Sequence, residues 1–217
     1  MNYGTIRSLA ANFAQDPDQT RYSGKYAAAV NRAQEQFAYD TRALYKDTTW
    51  TSVSGTSTHS LPADFIYEKS VTFDGLPLDP VSRDTLAREQ SGDDWTDDEG
   101  TPTHYMIDPE EANKVLRLYP IPQANDADKT ISMRYYPLPA NVSDDSDTPL
   151  NSSALMGQFH VGIAAFTAWL LLTYEILTPE ILMKRVELLK IYTDAILKAD
   201  STFKNTASEK WRVRPVK

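Results

Sequence analysis

The sequence predicts an α+β fold. A helical bundle, made of a long N-terminal helix and a C-terminal antiparallel helix pair, carries an inserted small antiparallel β meander or sandwich and ends in an extended C-terminal arm. Three observations predict it. Apolar residues recur at steps of three and four near both ends of the chain. Between them the period falls to two, with Thr-rich segments, prolines and an Asp-Gly turn. From Thr206 onward the charge changes sign. The expected divisions are residues 1–47 with 150–205 for the bundle, 48–149 for the β insert and 206–217 for the arm.

Ile6, Leu9, Ala10 and Phe13 fit one face of a short first helix, which Asp16-Pro17-Asp18 stops. A longer helix is expected from Ser23 to Lys46. Tyr26, Val30, Ala33, Phe37, Thr41 and Leu44 form its stripe, and Ser23 is its N-cap. Strands are expected at Trp50–Val53, Thr58–Leu61, Phe65–Phe73, His104–Ile107, Val115–Tyr119 and Lys129–Tyr136. Asp74-Gly75 suits a tight hairpin turn, which needs positive φ. Ser82 caps a helical turn or two up to Gln90. The prolines at 120, 122, 137 and 139 fit strand ends rather than a central ladder. An apolar helix follows over Ser152–Ile176, with Phe159, Ile163, Phe166 and Leu170 as its core or ring-facing residues. Thr178-Pro179-Glu180 opens the last helix with a capping hydroxyl, a first-position proline and a first-turn acid. Ile181, Leu188, Tyr192, Ile196, Ala199 and Phe203 give it one stripe.

Composition narrows the function. The chain has 217 residues, 41% of them hydrophobic, so a sizeable core is available. It has no cysteine, which excludes disulfides and thiolate metal sites. The N-terminal residues lack a signal-peptide pattern. Leu155 to Tyr174 holds no charged residue, but Gln158, His160, Thr167 and Thr173 interrupt it and no basic cluster flanks it. A buried or interface helix is therefore expected rather than a membrane span. The net charge of −8 argues against general nucleic-acid binding, which is driven by clustered Lys and Arg.

Catalytic patterns are lacking. There is no G-x-S-x-G, P-loop, G-x-G-x-x-G or H-E-x-x-H, and His59, His104 and His160 have no metal-ligand spacing. The expectation is a protein that is not an enzyme and takes no cofactor or metal. Asp93, Asp94, Asp97, Asp98 and Glu99 form an acidic run without the spacing of a calcium loop. It reads as a solvated acidic face, or as one turned towards DNA or a basic neighbour. The tail concentrates Lys210, Arg212 and Arg214 around Trp211, Val213 and Pro215. The segment reads either as a solvated terminal tail or as an extended arm docking on a partner, with Trp211 as anchor.

The ordered series of short motifs resembles the adaptor, or head-tail connector, proteins of tailed bacteriophages. The matching pieces are Tyr22-Ser23-Gly24-Lys25-Tyr26, Asn31 to Ala38, Leu61-Pro62-Ala63-Asp64-Phe65 and Phe73-Asp74-Gly75-Leu76-Pro77-Leu78. They continue with Ser82 to Leu86, Gly100-Thr101-Pro102-Thr103-His104-Tyr105, Leu116 to Pro122, Tyr135 to Pro139 and Asp147-Thr148-Pro149-Leu150. The resemblance implies a structural protein of the virion neck, assembled in the host cytoplasm. It implies a ring, commonly of twelve copies, between the portal and the tail nozzle or tube, with double-stranded DNA passing through without sequence-specific binding. The arm, residues 210 to 215, is then expected to dock on the portal. Alternatives are another neck or tail component, such as a stopper or tail-tube protein, and more distantly a cell-wall hydrolase or a carbohydrate-binding module.

Overall fold

The first helix, α1 (Tyr3–Phe13), starts where the Asn2 side chain accepts a hydrogen bond from the Thr5 amide at 2.9 Å. Ile6 and Ala10 are buried on the face that their spacing predicts. These coordinates are a computed structural model that describes residues 1–89, 95–108, 114–151 and 156–210. Asp16 does more than stop α1. Its buried carboxylate accepts from the amides of Thr20, Arg21 and Tyr22 and from the Tyr26 hydroxyl, at 2.7 to 3.2 Å. Burial alone would raise its pKa, but these donors outweigh it and hold the carboxyl below its ordinary value.

The second helix is shorter than the apolar stripe predicts. α2 runs Tyr26–Thr41, and its N-cap is Lys25, which makes no side-chain capping bond. Gly24, at φ +76°, leaves Ser23 outside the helix. Arg42 ends α2 in the left-handed region, with its amide on the Ala38 carbonyl. The expected extension to Lys46 is therefore absent, and Lys46 instead begins a strand.

The middle of the chain, Tyr45–Pro137, is one compact unit. It contains β1 (Lys46–Thr51), β2 (Thr58–Ser60), β3 (Phe65–Phe73), β4 (Leu76–Pro77), β5 (Asp79–Pro80), the short helix α3 (Arg83–Glu89), β6 (His104–Asp108), β7 (Val115–Tyr119) and β8 (Thr130–Pro137). Two four-stranded sheets result, in the orders β1-β8-β3-β4 and β2-β7-β6-β5. Among the described residues these strands pair antiparallel, except β5 with β6, which are parallel. Val71, Phe73, Ile131 and Met133 of the first sheet share a core with Tyr105, Leu116 and Leu118 of the second. Asp74 and Gly75 both have positive φ, +49° and +80°, as a tight hairpin turn between β3 and β4 requires. Ser82 caps α3 by accepting from the Thr85 amide at 3.1 Å.

The rest of the chain returns to the helical unit, which comprises Met1–Leu44 and Leu138–Lys217. The expected long apolar helix is broken up. A 3-10 turn (Met156–Phe159), α4 (His160–Leu171) and a second 3-10 turn (Leu172–Tyr174) occupy it, and residues 152–155 lie outside the described ones. No side chain caps the start of α4, and Gly157, a poor helix former, precedes it. Beyond Tyr174 the chain turns extended at Glu175 and reaches α5 (Pro179–Lys210). Thr178 accepts from the Ile181 amide at 3.3 Å, so the predicted capping sequence does start this helix.

α4 packs against α5 with little space to spare. A Cβ added at Gly162 would lie 2.5 Å from the Ala195 Cβ, so only glycine allows this crossing. Ala164, Ala165 and Ala168 are fully buried beside it. No helix among the described residues is long and apolar enough to cross a membrane.

Candidate interaction surfaces

The interior of the helical unit is built around α4. Phe159 and Ile163 are buried, and Phe166 and Leu170 pack half-buried against the same core. Phe166 stacks on Tyr192 of α5 at 4.4 Å, and Phe37 of α2 lies 5.8 Å from Phe159. Tyr192 in turn donates to Asp40 at 2.7 Å. All four thus pack on the core of the helical unit, with Phe166 and Leu170 still partly exposed.

Two polar groups in this interior were legible only in part. Gln34 is fully buried. Its side chain donates to the Ala140 carbonyl at 2.8 Å and accepts from the Leu150 amide at 3.1 Å. Asn31, one turn earlier, bonds both the amide and the carbonyl of Val142. The pair clamps the chain where it returns to the helical unit. His160 has no exposed surface, and neither ring nitrogen has a hydrogen bond of good geometry among the described residues. Burial first, and then the nearby amino-terminal charge, push its pKa down to about 4.

The outside of this unit differs from its inside in an unexpected place. Leu182, Met183, Val186, Leu189 and Leu197 of α5 are all exposed, and so are Tyr174, Ile176 and Leu177 at the corner before it. Sequence reading picked the stripe that faces the core, Ile181 to Phe203. It passed over the second stripe of the same helix, although that stripe also recurs at steps of three and four. A groove of about 300 Å³ lies beside it, with Phe13, Leu172, Ile181 and Met183 on its apolar wall and Arg21, Lys184 and Glu187 on its polar side. At the corner Glu175 accepts from Arg21 at 2.9 Å and from the Tyr22 hydroxyl at 2.8 Å. Burial, followed by the bond to Glu175, raises the Tyr22 pKa to about 12.

The two units divide the charge unequally. Residues 45–137 carry 17 Asp and Glu against 8 Lys and Arg, a net charge of −9. The remaining residues carry 13 against 14. Within the acidic run, Asp97 and Glu99 are exposed, whereas Asp98 accepts from the Tyr119 hydroxyl at 2.8 Å. Asp93 and Asp94 lie outside the described residues. Asp108, by contrast, is buried, and it is held by Arg83 at 2.6 Å and Arg117 at 3.5 Å. His59 packs beside Trp50, and His104 contacts the Thr103 hydroxyl. Among the described residues no group of three or more His, Asp or Glu side chains could hold a metal ion.

The extended arm expected from Thr206 does not begin there: α5 continues through Lys210, so residues 206–210 are helical, and Trp211, Arg212, Val213, Arg214 and Pro215 lie outside the described residues.

An acidic two-sheet unit inserted into a helical unit that bears an exposed apolar helix face has the features of a protein built for assembly. The chain belongs to the SU10 adaptor protein family, a phage head-to-tail adaptor family, whose model matches residues 1–179. The match covers α1 to α4 and the whole β unit, and it stops at the first residue of α5. A comparison with curated proteins finds no match. Membership makes the chain a phage adaptor and implies a virion component with structural partners there.

Proposed function

We propose that this chain is a structural head-to-tail adaptor, not an enzyme, that forms a closed ring in the virion neck. The ring, of twelve copies by family resemblance, joins the portal above to the tail nozzle or tube below and surrounds the DNA exit channel. The observation that carries this reading is the family match across both units. Two features support it. The β unit, at net −9, suits a surface that passing DNA must not adhere to. The exposed apolar residues of α5 suit a chain that buries surface only when assembled. The arm, Lys210 to Pro215, supplies the portal contact by laying Trp211 and its flanking arginines along the portal.

The test is reconstitution. Portal-bearing heads that lack this protein are incubated with the purified chain, and the neck is imaged. A ring of several copies directly beneath the portal is expected. Heads that take up no copies, or that bind them away from the portal vertex, would refute the reading.

A further inference from the structure

We infer that Arg185, held on Trp169, is a docking point for a carboxylate from the β unit of a second copy of this chain. The inference rests on the ring reading and names one contact within it. Arg185 lies beyond the family match, which ends at residue 179.

Arg185 is a cation without an acid. Its neighbours three and four residues away along α5 are Ile181, Leu182, Leu188 and Leu189, so its own helix offers no carboxylate to pair with. Lys184, one residue earlier, does have one, Glu187 at 3.0 Å. Arg185 lies instead over the Trp169 ring of α4, with its guanidinium carbon 4.6 Å from the centroid. Trp169 stacks on Phe166 at 5.3 Å with the ring planes 6° apart, and Phe166 stacks on Tyr192. A column of rings rooted in the core therefore fixes the guanidinium, and a partner that binds it has less side-chain freedom to remove. The Arg185 Nε is buried and has no hydrogen-bond partner among the described residues, although the side chain as a whole is only half-buried. The end that carries the two Nη groups is thus the one a partner can reach. A carboxylate matches that fork with two parallel bonds.

Charge names the source of the carboxylate. The helical unit has no surplus of acid, with 13 acidic side chains to 14 basic ones, whereas the β unit is at net −9. Five exposed acids of the β unit, Asp79, Asp84, Asp97, Glu99 and Asp128, form no ion pair with a described residue. A contact of Arg185 with one of them joins unlike surfaces. Each copy then gives one such contact and receives one, which is the heterologous arrangement that closes into a ring. A contact of Arg185 with its own counterpart would instead set two cations together about a two-fold axis. Duplex DNA is a poor occupant, because one guanidinium among leucines is not the clustered basic surface that phosphate binding needs.

The experiment places the photo-crosslinking residue p-benzoylphenylalanine at position 182 of the full chain, three residues before Arg185 on the same side of α5. The variant is assembled on portal-bearing heads and irradiated, and its adducts are mapped by mass spectrometry. Adducts to residues 45–137 of another copy are expected. Adducts to the helical unit of another copy, to the portal, to a tail protein or to DNA, or no adduct on fully occupied heads, would overturn the assignment. Arg185→Glu gives a second readout that does not depend on the probe. It should lower the copies per head roughly tenfold, because it sets a carboxylate against the acid that Arg185 binds. Changing the crosslinked acid to lysine in the same chain should restore them. A normal copy number for Arg185→Glu, or no recovery with the added lysine, would overturn the assignment equally. If unmodified protein fails to join heads in several copies, the ring reading itself falls, and this inference falls with it.

Discussion

The helical unit and the β unit each bury an apolar core, but by different means. The helical core is rich in small residues. Ala10, Ala11, Ala33, Ala164, Ala165, Ala168 and Ala199 are buried there, and Gly162 lets α4 and α5 approach closely. The β core is filled by larger side chains that alternate along strands, Val71, Phe73, Leu116, Leu118, Ile131 and Met133. One unit is therefore determined by how near its backbones come, the other by period and turn geometry. Added volume should harm the first most. Gly162→Val should destabilise the protein by about 3 kcal/mol or more, because the new side chain overlaps Ala195. Val71→Leu, which also adds volume but in the β core, should cost about 1 kcal/mol. Denaturant titration of both variants checks this, and a smaller loss for Gly162→Val would remove the contrast.

The next effect tests whether the returning chain is held by a side chain. Gln34→Ala removes the donor to Ala140 and leaves the buried Leu150 amide without its acceptor. An orphaned buried amide plus a lost bond should cost about 2 to 3 kcal/mol. Arg32, on the same helix but exposed, is the control. Its replacement by alanine should change the midpoint little. Equal shifts for the two variants would show that Gln34 is no clamp.

A smaller effect depends on pH. His160 has its folded pKa pushed from 6.5 to about 4. Between these values the unfolded chain binds the proton and the folded one does not, so stability is lost as pH falls below about 6.5. By pH 5.5 the loss should reach about 1 kcal/mol. Asp16, Asp47 and Asp64 have lowered values and keep their contributions until the pH falls below the ordinary carboxylate range, so this window isolates histidine. His59 of the β unit is also lowered by burial and titrates in the same sense. His160→Leu should flatten the dependence between pH 6.5 and 5.5 and leave only the His59 share. An unchanged slope in unfolding free energy would show that His160 is not its source.

The two units were also unequally legible from sequence. In the β unit, Phe65 to Phe73, Asp74-Gly75 and Val115 to Tyr119 carry local signals, a period of two or a positive-φ turn, and the strands and turn lie where those signals put them. β1 begins at Lys46, four residues before the expected start, because its pairing is with β8, across Lys46↔Tyr135 to Thr51↔Thr130. No local pattern announces a partner so distant in sequence. In the helical unit the stripes were visible, but the ends were not. Ser23 has the chemistry of a cap, yet Asp16 organises that turn through amides four to six residues on. Gln34 read as one polar position on a helix, and only tertiary contact shows it buried. The outward stripe of α5 could have been found from Leu182, Val186 and Leu189, but a helix already supplied with one core face invites no search for another.

The smallest effect on stability belongs to the arm. Trp211 to Lys217 follows the end of α5, and Lys210, Arg212, Arg214 and Lys217 set four positive charges there in an acidic chain. Deleting residues 211–217 leaves every described buried residue of both cores in place, so the melting temperature should stay within about 1 °C, as for a change of a few tenths of a kcal/mol at most. On the proposed ring reading, incorporation into heads should nevertheless stop, since a desolvated Trp anchor is commonly worth about 2 kcal/mol or more and would be repeated in each copy. Quantifying the arm-deleted chain in purified heads by mass spectrometry checks this. Full incorporation of the arm-deleted chain would assign the portal contact to the described residues.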